Sequence, residues 1–313
     1  MTGPPADRSA SNRIRTALPG SAPSADELAG RIRALCEIRH PLRKMREELE
    51  RLRRVGSAPL PLPRTIDEQV RLAGQIQNDL LPDLSADTTP LSVTSLYAPA
   101  DFVSGDTYDV ARLDARYSSF SIADATGHGL PAALLALTVR HALRGRETFN
   151  GTSRILEPDE VLTRLNQELC TSNLQQCQFV TALHARFDRQ TAQMRWARGG
   201  VPYPVLIRPG QPPRLIRSEG GLLGAVEHVA FEVADHVMQT GDLLLFYTDG
   251  LEALLLDRSA PRGSDALLRT DWMKSLTEEG AERAFERARA LAAEKDPDQW
   301  PRDDVTALAI RMA

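Results

Sequence analysis

From Leu91 onward the chain is punctuated in a way that leaves few folds open. Short apolar runs are each cut off by Gly, Pro or Asp, and helical stretches fall between them in clusters. The runs predict strands at Leu91–Tyr97, Tyr108–Leu113, Tyr117–Ala123, Phe179–Phe187, Gln193–Ala197, Val205–Arg208, His228–Val233, Leu243–Thr248 and Val305–Met312. Leu130–Arg144, Asp159–Cys170, a stretch near Asp265–Leu276 and Ala281–Ala293 carry helical periodicity or composition. Strand and helix do not alternate regularly. That order favours antiparallel sheets with flanking helices over a parallel doubly wound sheet.

The N-terminal third reads differently. Residues 1–26 are rich in Pro, Ser, Ala and Gly without apolar periodicity, a composition that predicts disorder because too little surface can be buried to offset chain entropy. A helix is expected over residues 27–55. Leu28, Leu35, Leu42 and Leu49 fall seven apart, with Ile38, Met45 and Leu52 three residues behind the last three. Arg31 in the seam and Pro41 inside the helix flaw it, the proline at a cost of about 3 kcal/mol. The seam favours a homodimer through paired N-terminal helices, the alternative being an amphipathic helix packed on its own catalytic domain. Residues 56–85 then form a Pro-rich hinge and a linker helix. Thr65 with Glu68 has the form of a capping box, Ile66, Val70, Ala73 and Leu80 fall on one face, and Pro82 ends the run.

Charge and cysteine content narrow the class of function. A net charge of −4 and a pI near 5.9 give no footprint for nucleic acid. Cys36, Cys170 and Cys177 show no CxxC spacing, so neither a disulfide framework nor a zinc cluster follows, and a reducing cytoplasm is the expected location. The longest apolar runs, such as Leu243–Tyr247, are too short to span a bilayer, and no targeting segment is expected.

Four acidic motifs sit at the ends of the expected strands: Ser104-Gly-Asp-Thr-Tyr-Asp109, Asp124-Ala-Thr-Gly-His-Gly129, Tyr247-Thr-Asp-Gly-Leu-Glu252 and Arg302-Asp-Asp-Val-Thr306. Each alone reads as an Asx turn or a surface acid. Together they place carboxylates where burial is costly unless a cation or hydrogen bonds offset it. Oxygen donors without a His or Cys set point to Mg²⁺ or Mn²⁺ and away from zinc.

Order, spacing and flanking strands from about Leu91 to Ala313 resemble the SpoIIE-type branch of the PPM metal-dependent protein phosphatases. SGDTYD is similar to that branch's GGDxYD, DATGHGLPAALLA to DxSGHGxxAAL, ARGGVPYPVLI to ARAGHPYPLLL, GDLLLFYTDGLEA to GDLLLLYTDGxxEA, and RDDVTALAIR to DDxTxLxLR. The helix carrying Gln75-Ile-Gln-Asn-Asp-Leu-Leu-Pro82 resembles the IQxxLLP helix that precedes this domain in many members. The resemblance implies an α+β fold over residues 86–313, a four-layer α/β/β/α sandwich of two antiparallel sheets flanked by helices and preceded by a helical N-terminal region.

It also implies a protein serine/threonine phosphatase that hydrolyses phosphoserine or phosphothreonine with water activated by two Mn²⁺ or Mg²⁺ ions, without a covalent phosphoenzyme. Asp124 would bridge the ions, with the Ala125 carbonyl and Asp106 on one and Asp249 and Asp303 on the other. Asp109, Asp304 and Glu252 would orient ligands or waters. The implied substrate is a phosphorylated STAS-domain anti-sigma factor antagonist in a partner-switching pathway.

Three positions depart from the pattern: Ser104 for the first glycine of GGD, Thr126 for serine, and Val201 where the family usually has histidine. None removes an expected ligand. His128 reads either as a general acid or as a local hydrogen-bonding residue of the glycine turn. Gly127 and Gly129 permit positive φ, and the positive end of the helix that follows could favour a phosphate, although a tight turn explains the glycines as well. No CxxxxxR appears for a cysteine-based phosphatase, and no Walker-type loop for a nucleotide hydrolase. The alternative in another class is a pseudo-phosphatase that binds such a regulator without hydrolysing it; the intact aspartates argue for the enzyme.

Overall fold

The computed structural model describes residues 65–84, 88–149, 152–172, 179–256, 263–294 and 303–313. The predicted N-terminal disorder, the heptad helix of residues 27–55, the Pro-rich stretch before Thr65, and Cys36 and Cys177 lie outside these residues.

Two five-stranded antiparallel sheets make up the centre. The first has the order β1-β12-β11-β8-β9, from Leu91–Ala98 (β1), Val305–Met312 (β12), Leu243–Tyr247 (β11), Val205–Ile207 (β8) and Arg214–Leu215 (β9). The second has the order β10-β7-β6-β3-β2, from Val233–Val237 (β10), Gln193–Gly199 (β7), Val180–Asp188 (β6), Tyr117–Ala125 (β3) and Asp106–Arg112 (β2). A separate hairpin joins Arg146–Phe149 (β4) and Thr152–Ile155 (β5). The helices are Ile66–Asp79 (α1), Gly129–Ala142 (α2), Pro158–Thr171 (α3), Asp249–Leu255 (α4), Ser264–Leu267 (α5), Asp271–Glu278 (α6) and Ala281–Glu294 (α7).

Each strand's alternation sorts its side chains between layers. Leu244 and Phe246 of β11 enter the core between the sheets with Phe120, Ile122, Leu183, Trp196, Leu308 and Ile310. Leu243, Leu245 and Tyr247 face outward and pack with Leu251, Trp272 and Phe285 from α4, α6 and α7. On the outer face of the second sheet, Ala123, Ala125, Ala182 and Ala197 meet Val139 of α2 and Val161 and Leu165 of α3. Both faces of both sheets are covered, which is why β11 reads as an unbroken LLLFY where a half-exposed antiparallel strand would alternate. The expected four-layer α/β/β/α sandwich is therefore the observed one.

Local differences have physical causes. The strand expected at His228–Val233 begins at Val233, as β10, an edge strand pairing only with β7 and largely outside the core. The β4–β5 hairpin, mostly polar, and the two-residue β9, too short to show a period, were not expected. The helix near Asp265–Leu276 is two pieces, the second capped by the Thr270 hydroxyl, which accepts from Met273 N–H. The Thr65–Glu68 capping box of α1 is present. That helix, however, buries Gly74 and Gln77, while Ile66, Leu72, Ile76 and Leu80 are exposed.

One polar cluster ties the two sheets where β8 ends, β11 begins and the edge strand β10 passes. Asp242, before β11, has a fully buried side chain that accepts two hydrogen bonds from Arg208, both at 2.7 Å, and lies 2.9 Å from His236 Nε2 of β10. Burial pushes the Asp242 carboxyl up, but the Arg208 guanidinium, the His236 ring and the Gln239 N–H outweigh it and hold it at about 2. Because the folded value lies below that of the unfolded chain, this stabilisation is complete above about pH 4 and is lost as pH falls towards 2. The shift corresponds to about 2 kcal/mol. In urea titrations, the stability gap between wild type and Asp242→Asn should narrow by that order between pH 6 and pH 2.5; a gap that stays constant would refute the assignment.

Candidate active site

The carboxylate motifs meet at one end of the sandwich because the strands that carry them run antiparallel in register. Asp106 opens β2 and Asp124 lies near the end of β3, directly opposite it in the ladder. On the other sheet, β11 leads into Asp249 while Asp303 and Asp304 lead into β12, its antiparallel neighbour. The Thr248 hydroxyl crosses from the first sheet to the second and donates to Asp106 Oδ2 at 2.7 Å. Thr248 is thereby withdrawn from capping α4, whose N-cap position it holds without a side-chain cap.

Asp249 is the first residue of α4, with Gly250 in its first turn. Asp124 was expected just after its strand and lies within it.

Like charges placed directly opposite in a ladder are unfavourable. Burial, then the charges of Asp249, Asp303 and Asp304, raise the Asp124 carboxyl to about 7. Asp106 is fully buried, and burial followed by Asp124 and Asp304 holds it well above the usual carboxylate range, against the hydroxyls of Thr306 and Thr248. None of the ion pairs among the described residues involves Asp106 or Asp124. Nor do three acidic, His or Cys side chains among them close on one point as a finished cage. The fit to a cation rests on charge and donor type: several carboxylates, two of them destabilised by mutual repulsion and burial, with oxygen as the only donor atom. Hard divalent cations match that set.

The remaining acids do different things. Asp304 ties the loop before β2, accepting from Ala100 N–H through Oδ1 and from Gly105 N–H through Oδ2, both at 2.7 Å. Gly105 lies so close to β3 that a Cβ there would stand 2.7 Å from the Ala125 carbonyl oxygen, and only glycine leaves that carbonyl in place. Glu252, in the first turn of α4, is buried and accepts from the Tyr247 and Ser264 hydroxyls at 3.1 Å each. Its carboxyl is raised, chiefly by burial.

Asp109 does not join the cluster. It lies on the opposite face of β2 from Asp106 and pairs with Arg140 of α2 at 3.1 Å, and Arg140 also donates to the Leu80 carbonyl. Asp109 is thus a strut between β2, α2 and the end of α1. The expectation that it orients ligands or waters is replaced by that role.

Gly127 and Gly129 take positive φ, and His128 between them is an exposed N-cap of α2 whose side chain makes no cap hydrogen bond. Val201, where the resembled motif has histidine, is buried in the inter-sheet core, so this chain has no side chain there for chemistry. Thr126 keeps a hydroxyl, which bonds the Phe179 carbonyl.

Sequence reasoning missed Gln77. Buried on α1, it clamps the Ser104 backbone: Nε2 donates to the Ser104 carbonyl at 2.7 Å, and Ser104 N–H donates to Oε1 at 2.9 Å. Ser104 Oγ in turn accepts from Asp106 N–H at 3.0 Å. The available signal was a glycine and a glutamine three apart on one face of an otherwise amphipathic helix. Gly74 supports the clamp, since a Cβ there would fall 1.8 Å from the Phe102 carbonyl oxygen.

The family model described as Stage II sporulation protein E (SpoIIE) matches residues 114–313, more than half of the chain. The chain belongs to the SpoIIE family. Among curated relatives it is 24% identical over 187 residues to "Phosphoserine phosphatase RsbU" of Bacillus subtilis (strain 168), covering 59% of this chain and 54% of that protein. It is 23% identical over 186 residues to "Phosphoserine phosphatase RsbP" of the same organism, covering 58% and 45%. The SpoIIE-family chain thus spans about half the length of these relatives.

Solved structures share the fold. The SiaA-PP2C domain of Pseudomonas aeruginosa superposes with a TM-score of 0.66 at 22% identity, over 79% of this chain and 97% of that one. The PP2C phosphatase domain of SpoIIE from Bacillus subtilis gives 0.57 at 20% identity, over 71% and 63%. RsbX in complex with magnesium gives 0.51 at 14%, over 71% and 96%.

Proposed function

We propose that this SpoIIE-family chain is a metal-dependent protein serine/threonine phosphatase acting in the cytoplasm. The observation that carries the reading is the meeting of Asp106, Asp124, Asp249, Asp303 and Asp304 at one end of the sandwich, with a hydroxyl bond across the two sheets. Names of relatives support it: two are phosphoserine phosphatases, and one structure with the same fold holds magnesium.

In this reading Asp106, Asp124, Asp249, Asp303 and the Ala125 carbonyl hold two Mn²⁺ or Mg²⁺ ions. When bound, the ions supply an activated water and neutralise charge on the transferring phosphoryl group. The chain's own part is positioning. Asp304 fixes the loop that presents Asp106, Gly105 leaves room for the Ala125 carbonyl, and Glu252 anchors the helix that presents Asp249. Orienting partners of this kind are usual around catalytic metal sites.

The substrate is a phosphorylated STAS-type regulator of a partner-switching pathway, with a homodimer through the heptad helix of residues 27–55. Support for the pathway comes from the relatives, including the solved structure of the RsbU and RsbW domains of Rv1364c from Mycobacterium tuberculosis. Among the described residues no helix is long and apolar enough to cross a membrane.

The test is hydrolysis of p-nitrophenyl phosphate and of a phosphorylated STAS protein. Activity should vanish on exhaustive EDTA treatment and return with Mn²⁺ or Mg²⁺ better than with Zn²⁺, following the all-oxygen donor set. Full turnover after chelation would sink the metal assignment, and Mn²⁺ binding without turnover would favour the pseudo-phosphatase.

A further inference from the structure

The connection from β9 to β10 holds a run that a surface loop does not ordinarily carry. From Gly220 to Val226 the sequence is Gly-Gly-Leu-Leu-Gly-Ala-Val, seven consecutive residues without a polar side chain. Leu223 is buried, while Leu222, Ala225 and Val226 are exposed, Val226 by 58%. Single exposed apolar residues need no explanation, but a contiguous group of them marks a contact surface.

The backbone of this run is fixed. Asn166 of α3, itself buried, accepts at Oδ1 from Gly224 N–H at 2.7 Å and donates through Nδ2 to the Val226 and Glu227 carbonyls at 2.9 and 3.1 Å. Leu223 and Val180 exchange two backbone hydrogen bonds, at 2.9 and 3.0 Å. The exposed side chains are therefore presented by a preorganised segment, which lowers the ordering cost of a contact with them.

Sheet register sets where the run lies. One row of the second sheet passes from Asp106 of β2 to Asp124 of β3 and Thr181 of β6, each directly opposite the last. Gly199 of β7 pairs with Ala182, so Gly200 follows beside Thr181. A Cβ at Gly200 would stand 2.6 Å from Leu222 Cδ2 and 3.0 Å from Thr181 Cγ2, which puts the Leu222 side chain against Thr181 at the end where the carboxylates meet. Neighbouring strands lie about 4.8 Å apart, so the Gly200 position on which Leu222 packs stands about 10 Å from Asp124.

We propose that Leu222 and Val226 form a docking surface for the phosphoprotein substrate, receiving apolar side chains that lie about 10 Å from its phosphoserine. The inference rests on the phosphatase reading above. Continuity with the carboxylate cluster decides the occupant. A specific protein contact covers about 800 Å² on each partner, a disc of about 16 Å radius, so a phosphoprotein seated at the carboxylates also covers Leu222. A small phosphate ester ends short of it.

The experiment places the double variant Leu222→Ser, Val226→Ser beside wild type in the full chain, with p-nitrophenyl phosphate and a serine-phosphorylated STAS protein as substrates. For the double variant, kcat/KM on the phosphoprotein should fall about tenfold or more, the size of effect that lost apolar contacts give. The loss should lie in KM, with kcat within about threefold, and turnover of p-nitrophenyl phosphate should stay within about twofold. Two controls separate docking from folding. Leu222→Met keeps the apolar contact and should stay within about threefold of wild type on the phosphoprotein. Val237→Ser alters an exposed valine at the far end of β10, opposite Gln193, and should match wild type on both substrates. Unchanged kcat/KM on the phosphoprotein, or equal losses on the two substrates, would overturn the proposal. So would a lower mass in solution for the double variant, which would make the surface an interface between copies of the chain. Hydrolysis of p-nitrophenyl phosphate alone by the wild type would remove the phosphoprotein as occupant. Hydrolysis of neither substrate would overturn the phosphatase reading itself, and this inference with it.

Discussion

Replacing Asp124 by Asn should reduce turnover at least a thousandfold, about 4 kcal/mol of transition-state stabilisation, and should leave the protein as stable as wild type or more so when both are measured in EDTA. The two halves of this expectation come from one fact. Asp124 lies opposite Asp106 in the β2–β3 ladder and within reach of the charges of Asp249, Asp303 and Asp304, so its carboxylate is raised by burial and then by repulsion from its neighbours. An amide of the same shape removes one member of that repulsion, which helps the folded chain in the absence of cations. The same change removes a charge that both ions would share, and with it the activated water. Initial rates with Mn²⁺ and urea unfolding in EDTA check the two halves separately. A variant that keeps more than about a tenth of wild-type kcat, a loss under about 1.4 kcal/mol, would sink the assignment of Asp124 as a shared ligand. Lowered stability in EDTA would mean that the carboxylate serves the fold.

What could be read from the sequence follows from what the strands must do. The expectation that the acidic motifs gather followed from their places beside apolar strands, and antiparallel pairing brings Asp106, Asp124, Asp249, Asp303 and Asp304 to one end. The layers were legible in runs such as Leu243–Tyr247, which are apolar on both faces. Elements that serve no core face were not. The strands Arg146–Phe149 and Thr152–Ile155 are polar, and Val233–Val237 carries Asp235 and His236 because it forms a sheet edge. The helix from Asp249 was hidden for another reason. Gly250 in its first turn reads as a turn signal, and Thr248, whose hydroxyl would ordinarily announce a cap, is engaged with Asp106. Asp109 was assigned to the site by its place in a motif, and the period of the strand turned it to the other face. The role of Gln77 depends on a contact with Ser104, 27 residues on, and no local pattern encodes it.

The second large effect is expected at Gln77. Gln77→Leu keeps the side chain's size but leaves the Ser104 N–H and C=O without their partners in a buried setting. Each unpaired backbone group costs about 1–3 kcal/mol, so a stability loss of about 2–6 kcal/mol follows. The consequence for catalysis runs through one more bond. Ser104 Oγ accepts from Asp106 N–H, and the same loop is held on its other side by the two oxygens of Asp304. Freed from α1, the loop keeps the Asp304 attachment and the bond from Ala125 N–H to the Gly105 carbonyl, but loses the Ser104 anchor that steadies the start of β2 and Asp106. A displacement of about 1 Å at such a point can lower kcat/KM by about a hundredfold. Gln75→Leu is the control, since Gln75 is exposed on the same helix and its loss tests helix propensity and surface polarity alone. If α1 acts on the site through Ser104, Gln77→Leu should bind Mn²⁺ more weakly, and raising the Mn²⁺ concentration should restore part of its turnover, while Gln75→Leu behaves as wild type. A Gln77→Leu protein that is destabilised yet binds Mn²⁺ and turns over normally would make the clamp purely structural. Equal loss in both variants would move the effect from the Ser104 contact to the helix as a whole.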